Sequence, residues 1–409
     1  MIISKHFFLP LTTALILSIA RGSSAEYVDH LLHQSSCSSQ SQQAVLREDL
    51  LSNNSNATEV SHPHKYFPAQ IRRIVDAADA ISPNAIEPPD THPYPVIDIS
   101  SWMNPFASSE EDKQHVVNQV LEEAKTNGSF NIVGHGIEDT LFDRLYSSAK
   151  NFFSLSVEHK KQYSFGNNRA GYVANRNESL AAIHGTGTSK EQKDLRESFS
   201  MSYPPSFVGN VQGPEDFHGA MAEYIEQLQS VQKSLKEIFT ASLGSAKEID
   251  LPTTYLHDLE PDATGLLRAA RYPSIPGFDD ATKLLPHSDF GTITIIASEE
   301  EGLEEVRDGR WYKVPMSKGE LHVNIGQMYS MWSNELFRHN VHRVSKEAKE
   351  DRISFSYFTS QGQRSSDDSV DVGVSPICSD GEVAKFPRVS TIDHIMHYMN
   401  AFITGRNDE

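Results

Sequence analysis

Asn340-Val341-His342-Arg343-Val344, a charged stretch over residues 346–351, and Arg352-Ile353-Ser354-Phe355-Ser356-Tyr357-Phe358-Thr359 together form the segment that decides the fold. Both ends are rich in β-branched and aromatic residues, and along a strand successive side chains point to opposite faces. Ile353, Phe355 and Tyr357 then share an apolar face, and Arg352 and Ser354 share the polar face behind it. Residues 346–351 read as a turn, which predicts that His342 and Arg352 are neighbours across an antiparallel pair. Working outward, strand character recurs at residues 266–272, 292–297, 311–314 and 321–325, with 341–344 and 353–359 completing the set. Many short antiparallel strands predict a barrel or a jelly roll.

The sequence ahead of these strands is mixed α/β. Tyr94-Pro95-Val96-Ile97-Asp98-Ile99 has strand character. Ser109 with Asp112 predicts a capping box, and Val116, Val117, Val120, Leu121 and Ala124 then lie on one helical face that ends near Gly128. Residues 130–133 read as a second strand, and 139–163 as a helical region with Leu141, Leu145 and Phe152 facing inward. From residue 215 to 243, Phe217, Met221, Tyr224, Leu228, Val231, Leu235, Ile238 and Phe239 recur at three and four, and Gly244 is expected to stop this longest helix. Behind the strands, Ser390 and Asp393 predict another cap, with Ile392, Ile395, Met396, Met399 and Phe402 as the buried stripe. Asp367, Asp368 and Asp371 before it read as a solvated loop.

The 409 residues include 38% apolar and 22% charged side chains, the balance of an ordinary globular protein with some polar, flexible sequence. A formal charge of −19 repels phosphate backbones and anionic membrane surfaces, so no nucleic-acid partner is expected. At the N-terminus Lys5, an apolar run over residues 7–20 and Ser23-Ser24-Ala25 have the form of a cleaved signal peptide. That run falls short of the roughly 20 residues that cross a bilayer, so no membrane association is expected after cleavage. Residues 26–91 are rich in Ser, Gln, Asn and His and are expected to be mostly disordered. Within them a short helix is expected over 68–81, where Ile71, Ile74, Val75 and Ala78 follow Pro68 in the first turn. The sequons at Asn53 and Asn56 suit a secretory route, and two cysteines, Cys37 and Cys378, are too few for a disulfide framework.

His287-Ser288-Asp289 follows a polar loop at the start of strand character, where residues two apart point to one face. An imidazole and a carboxylate can therefore converge on one metal ion. His342 lies fifty-three positions after Asp289 on another strand. Two imidazoles and one carboxylate are the ligand set of non-haem Fe(II) oxygenases, which keep positions open for cosubstrate and O2. Zinc accepts the same ligands, so the triad by itself leaves a hydrolase open. The planar fork of Arg352, with the Ser354 hydroxyl beside it, matches the carboxylate of a small molecule.

These motifs resemble the isopenicillin N synthase-like branch of the Fe(II)/2-oxoglutarate-dependent dioxygenase superfamily over most of residues 94–360. The N-terminal likeness rests on Tyr94-Pro95-Val96-Ile97-Asp98, on Gly128-Ser129-Phe130-Asn131-Ile132-Val133-Gly134-His135-Gly136-Ile137 and on Asp194-Leu195-Arg196-Glu197-Ser198-Phe199. The later likeness rests on Arg271-Tyr272-Pro273, His287-x-Asp289, Val323-Asn324-Ile325-Gly326, His342-Arg343-Val344 and Arg352-x-Ser354. It implies an α+β fold, a double-stranded β-helix (jelly roll) core with flanking helices. The divisions expected are 1–25 signal peptide, 26–91 leader, 92–250 N-terminal α/β region, 251–365 jelly-roll core and 366–409 loop and C-terminal helix.

The resemblance also assigns roles. His287, Asp289 and His342 would bind Fe(II), Arg352 and Ser354 would hold the distal carboxylate of 2-oxoglutarate, and Tyr272 would contact this cosubstrate. A small-molecule substrate would be oxidised by O2, hydroxylation being the default outcome, with release of succinate and CO2. His135 and Asn324 match structural positions, and motif order selects His342 over His322 and His339. Ala270 stands where many plant relatives have asparagine, and Gln327 where an aspartate is frequent. Two rival readings are an iron oxidase that binds its substrate's own carboxylate without 2-oxoglutarate, and a non-catalytic jelly-roll binding protein. The leader points to the secretory pathway, whereas the branch leads one to expect the cytosol. Substrate identity and oligomeric state are not encoded in these motifs.

Overall fold

In a computed structural model of the chain, the residues described are 63–90, 93–104, 108–165, 170–174, 194–203, 213–259, 265–274, 284–344, 351–359, 373–389, 391, 393–395 and 397–398. The signal-like segment, Asn53, Asn56, Cys37, Asp367, Asp368 and Asp371 lie outside them.

The helices are α1 (Pro63–Ile81), α2 (Ser100–Met103), α3 (Glu110–Thr126), α4 (Asp139–Ser154), α5 (Val157–Lys161), α6 (Glu215–Lys247), α7 (Tyr255–Leu259) and α8 (Gln327–Trp332). The strands are β1 (Val96–Asp98), β2 (Ser129–Val133), β3 (Ser164–Phe165), β4 (Ala170–Val173), β5 (Glu197–Tyr203), β6 (Gly265–Tyr272), β7 (Leu284–His287), β8 (Ile293–Ser298), β9 (Leu303–Arg307), β10 (Arg310–Lys313), β11 (Leu321–Ile325), β12 (His342–Val344) and β13 (Arg352–Thr359). They form a nine-stranded sheet in the order β1-β2-β11-β8-β13-β6-β5-β4-β3 and a four-stranded sheet in the order β10-β9-β12-β7. Apart from the parallel β1–β2 pair, the pairings are antiparallel.

The alternation read in β13 decides where the core sits. Ile353, Phe355 and Tyr357 join Leu267, Ala269, Ile293, Ile295 and Val323 in an apolar layer that packs on Tyr224, Leu228, Leu235 and Phe239 of α6 and on Leu145 and Phe152 of α4. The opposite face of the large sheet meets the small sheet: Ala270 and Tyr272 of β6 pack with Leu284 of β7 and Val344 of β12. Ile296 of β8 likewise packs with Leu303 of β9. Polar side chains on that inner face are thus enclosed between two sheets, where each needs a partner.

Several expectations are corrected. His342 and Arg352 are not paired: β12 lies between β7 and β9 in the small sheet, and β13 between β6 and β8 in the large one. β12 and β13 therefore do not form the expected hairpin. Helix α6 runs through Gly244 to Lys247 and ends where Glu248 adopts φ 54°. Gly244 matters because the returning chain bonds Ile249 N to its carbonyl at 3.0 Å, and a Cβ there would meet Ile249 O at 2.9 Å. The expected helical region 139–163 is two helices, broken at Leu155, with the Ser156 hydroxyl capping α5. The capping box at Ser109 and Asp112 is present, with Val116, Val117, Val120 and Ala124 buried. Leu121 is half-buried and packs against the core.

The leader contributes more than a short helix. Helix α1 begins at Pro63, which takes the first-turn role expected of Pro68, and Pro68 lies inside it. Ile71, Val75 and Ala78 pack on Trp311 and Val341, covering apolar groups of the small sheet and its β12 approach that would otherwise face water. The Trp311 indole donates to Asp79 at 2.8 Å, the Arg343 guanidinium lies 3.9 Å from its ring centroid, and Ile86 bridges Tyr312. Trp311→Ala should therefore destabilise the fold by about 3–5 kcal/mol, as deletion of a buried large aromatic does. Urea denaturation measures this; a change under about 1 kcal/mol would mean that α1 is not docked in solution.

Of the C-terminal helix, residues 391, 393–395 and 397–398 are described. Thr391, His394 and Tyr398 are its buried positions there, while Ile395 of the expected stripe is half-buried. Ile392, Met396, Met399 and Phe402 lie outside the described side chains.

Candidate metal centre and anion site

Strand β7 ends on His287, and His287 is the register partner of His342 at the start of β12. Their rings lie 4.3 Å apart between centroids. Asp289 lies beyond the end of β7, so it is a turn and not the alternation of one strand that brings its carboxylate back to His287. Asp289 Oδ1 is 3.9 Å from His287 Nε2 and 4.0 Å from His342 Nε2. One donor atom from each of the three residues lies within 4.8 Å of the others, all three are buried, and they are the group of His, Cys, Asp or Glu among the described residues that could hold a metal ion.

The surroundings suit a cation. Asp289 Oδ2 is buried with no hydrogen-bond partner among the described residues, an arrangement that is costly unless a positive charge completes it. His287 Nδ1 is 2.8 Å from the Leu285 carbonyl, so Nδ1 carries the proton and Nε2 presents its lone pair toward Asp289. The turn itself is pinned from α8: Gln327 N donates to Asp289 O at 2.9 Å and Met328 N to Gly291 O at 3.0 Å. Gly326 allows that approach, because a Cβ there would lie 2.2 Å from Gly291 O.

The Gln327 side chain, flagged in sequence only as a departure, also holds this turn. Its amide donates to Ser288 Oγ at 2.9 Å and its carbonyl lies 3.0 Å from His394 Nε2 of the C-terminal helix. Substituting Gln327→Leu should loosen the turn and weaken metal binding roughly tenfold, the lower end expected for an outer-shell partner. Chelator competition with Co(II) measures it, and unchanged affinity would contradict the role.

Arg352 is 1% exposed on the inner face of β13. Its register partner is Tyr272, and its guanidinium carbon lies 5.4 Å from that ring's centroid. Nε donates to the Glu300 carbonyl at 3.4 Å, while Nη2 has no hydrogen-bond partner among the described residues. Burial lowers the basicity of this guanidinium, with Tyr272, Tyr146 and Glu300 opposing that effect. Ser354, two residues on and so on the same face, is also buried, beside Ala270 and Ser298 in register. A carboxylate is the complement this anchor lacks. Ala270 adds only a methyl group to the apolar contact of Tyr272 with Leu284 and Val344.

The other histidines have different work. His135 Nε2 donates to Gly319 O at 2.9 Å and its Nδ1 accepts from Ile137 N, the structural role expected. His339 Nε2 meets Gln70 Oε1 of α1 at 2.6 Å. His322 lies beside a buried carboxylate that no sequence signal singled out: Glu305, fully buried, accepts from Tyr94, Ser129, Arg307 and Asn340. Neither His322 nor His339 belongs to the triad.

Residues 94–239 match the family described as non-haem dioxygenase in morphine synthesis N-terminal, and residues 263–361 match the 2OG-Fe(II) oxygenase superfamily. The chain is 26% identical over 323 residues to the 2-oxoglutarate-Fe(II) type oxidoreductase hxnY of Emericella nidulans, covering 74% of this chain and 88% of that one. It is 28% identical over 279 residues to the 2-oxoglutarate-dependent dioxygenase thnC of Trichoderma harzianum, covering 64% and 83%. Among solved structures it is similar to JOX2 in complex with 2OG, Fe and JA, with a TM-score of 0.61 at 21% identity, covering 77% of this chain and 86% of that one. A full-length Neurospora crassa protein solved with alpha-KG and thymine gives a TM-score of 0.62 at 18% identity, covering 75% and 96%.

Fold and site thus define a jelly-roll oxygenase whose chemistry needs a metal and an organic acid. The chain belongs to the 2OG-Fe(II) oxygenase superfamily, and it is an Fe(II)/2-oxoglutarate-dependent dioxygenase.

Proposed function

We propose that His287, Asp289 and His342 hold Fe(II), that Arg352 and Ser354 bind the distal carboxylate of 2-oxoglutarate with Tyr272 against it, and that a small organic molecule is hydroxylated with release of succinate and CO2. The observation that carries this reading is a complementary pair of unmet needs in one interior: Asp289 Oδ2 lacks a cation and Arg352 Nη2 lacks an anion among the described residues. Iron, when bound, supplies the redox chemistry with O2 that couples decarboxylation of 2-oxoglutarate to oxidation of a C–H bond.

The chain's own residues do the rest. His287 is kept in its metal-binding tautomer by the Leu285 carbonyl. Arg352 sets the orientation of a dicarboxylate bidentately. Ala270, Tyr272, Leu284 and Val344 close an apolar wall around that region, with Tyr398 and the Phe290 ring stacked on it at 4.3 Å. Such a wall excludes water from a reaction that has to be confined to its substrate.

Adding 2-oxoglutarate to the anaerobic Fe(II) protein should produce a visible metal-to-ligand absorption band. Iron uptake without that band would favour direct binding of a substrate carboxylate at Arg352, and no stoichiometric metal would favour a binding protein without turnover. Succinate release across a panel of small molecules then identifies the substrate.

The leader supports entry to the secretory pathway. Amino-terminal sequencing of the purified mature protein should begin at Glu26, and a chain retaining residues 1–25 would overturn that reading. Among the described residues no helix is long and apolar enough to cross a membrane.

A further inference from the structure

His287 and His342 are neighbours, yet their outer nitrogens are held by different devices. His287 Nδ1 meets a backbone carbonyl directly. His342 Nδ1 instead lies 3.4 Å from Nδ2 of the Asn324 amide, on β11 of the opposite sheet. Behind Asn324 the contacts continue. Asn324 Oδ1 lies 2.7 Å from His322 Nε2, His322 Nδ1 lies 2.8 Å from Asn131 Oδ1, and Asn131 Nδ2 donates to Pro315 O at 2.8 Å and to Glu320 Oε2 at 3.3 Å. Asn131, His322 and Asn324 are all fully buried.

Counting protons gives this chain a direction. Both partners of Asn131 Nδ2 are acceptors, so its Oδ1 faces His322 and must accept, which places the His322 proton on Nδ1. Burial pushes His322 down to about 4, so the ring is neutral and its Nε2 has only a lone pair to offer. Glu305 Oε2, 3.7 Å from that nitrogen, already accepts from Ser129 and Asn340. The amide is placed with Oδ1 at His322 and Nδ2 at His342, and a lone pair on His322 Nε2 calls instead for the Asn324 NH2 there, as does a His342 that offers Nε2 to a metal and so carries its proton on Nδ1. The Asn324 carbonyl, by a half-turn of the amide, then faces His342 Nδ1. An imidazole whose Nδ1–H is held this way presents the Nε2 lone pair, and Nε2 is the atom that faces Asp289.

We propose that Asn324, oriented by His322 and Asn131, is the positioning residue for the third metal ligand: its side-chain carbonyl accepts the Nδ1 proton of His342 and fixes the tautomer and ring angle that iron requires. This rests on the metal centre proposed above. It reassigns Asn324 from a purely structural position to one that sets metal affinity from outside the coordination sphere.

The test is Co(II) affinity by chelator competition on the full chain, with the d–d spectrum and the metal-free thermal midpoint recorded for each variant. Asn324→Leu should weaken Co(II) binding by about 10–100-fold and alter the spectrum. Asn324→Asp, whose carboxylate accepts from His342 Nδ1 while its charge lets His322 carry a proton on both ring nitrogens, should return affinity to within about threefold of the parent by the same outer-shell argument. Should the leucine variant fail to fold, Asn324→Ser carries the same expectation. Parent-like affinity in the leucine or serine variant, or no recovery with aspartate, overturns the proposal. Failure of the parent itself to take up one Co(II) would instead overturn the metal centre, so the two readings fail separately.

Discussion

Asp289→Asn should abolish metal binding while leaving the metal-free protein at least as stable as the parent. The carboxylate is the anionic member of the triad, and its Oδ2 is buried with no hydrogen-bond partner among the described residues. A neutral amide of the same shape lacks the charge that attracts a divalent cation. Loss of one of three ligands should weaken Fe(II) binding by more than about 100-fold, beyond the range seen when outer-shell partners are removed. The same change removes a desolvated charge, whose burial without a partner is worth several kcal/mol in the unfavourable direction. Chelator competition and thermal unfolding without metal give the two numbers. A parent-like affinity would dismiss the triad, and a metal-free midpoint lowered by more than about 5 °C would mean that Asp289 has a structural load.

Arg352→Leu should separate cosubstrate binding from metal binding. The guanidinium lies on the large sheet and the metal ligands lie at the small one, so the substitution leaves the triad intact. Breaking a buried charged pair by removing one partner costs about 2–5 kcal/mol, so 2-oxoglutarate affinity should fall by roughly 30- to 5,000-fold. Leucine fits against the Tyr272 ring, and fold stability should change little because the charge it replaces has an unmatched Nη2. Arg352→Lys keeps the charge but loses the fork, and an intermediate loss of about tenfold is expected. Anaerobic titration of the Fe(II) variants by absorbance measures both. Undiminished 2-oxoglutarate affinity in the leucine variant would remove the anion site from Arg352, and a parallel loss of iron would show that the two sites are not separable.

The candidate site was legible because ligand identity and order survive translation into one dimension. His287, Asp289 and His342 are polar residues embedded in apolar strand sequence, and Arg352-x-Ser354 shares a strand whose other face carries Ile353, Phe355 and Tyr357. The pairing of His342 with Arg352 was misread because a polar segment of six residues fits a hairpin and a crossing between sheets equally well. β5 was readable in principle, since Ser198, Ser200 and Ser202 alternate with Phe199 and Met201 along it. β7 and β9 were not: Pro286 interrupts the first, and Glu304 and Glu305 give the second a solvent-facing look although both are buried.

Glu305 shows why the remainder was hidden. Nothing in its neighbours along the chain predicts a fully buried carboxylate, because its donors come from Tyr94, Ser129 and Asn340, which are remote in sequence, as well as from nearby Arg307. The same holds for Asn324, whose three-membered chain to Pro315 exists only where β2 lies beside β11.

By itself the sequence determined the chemistry on offer: which side chains can bind a cation, which can bind an anion, and which faces of their strands must be apolar, since side-chain identity and two-residue periodicity are local properties. The tertiary structure alone decided which of those side chains meet, through a turn that returns Asp289 to His287, a small sheet that sets His342 beside His287, and a second sheet that brings Asn324 against His342. The physical reason is that hydrogen bonds and coordination depend on distances of a few ångströms between residues far apart in the chain, which packing of the two sheets fixes and local sequence does not.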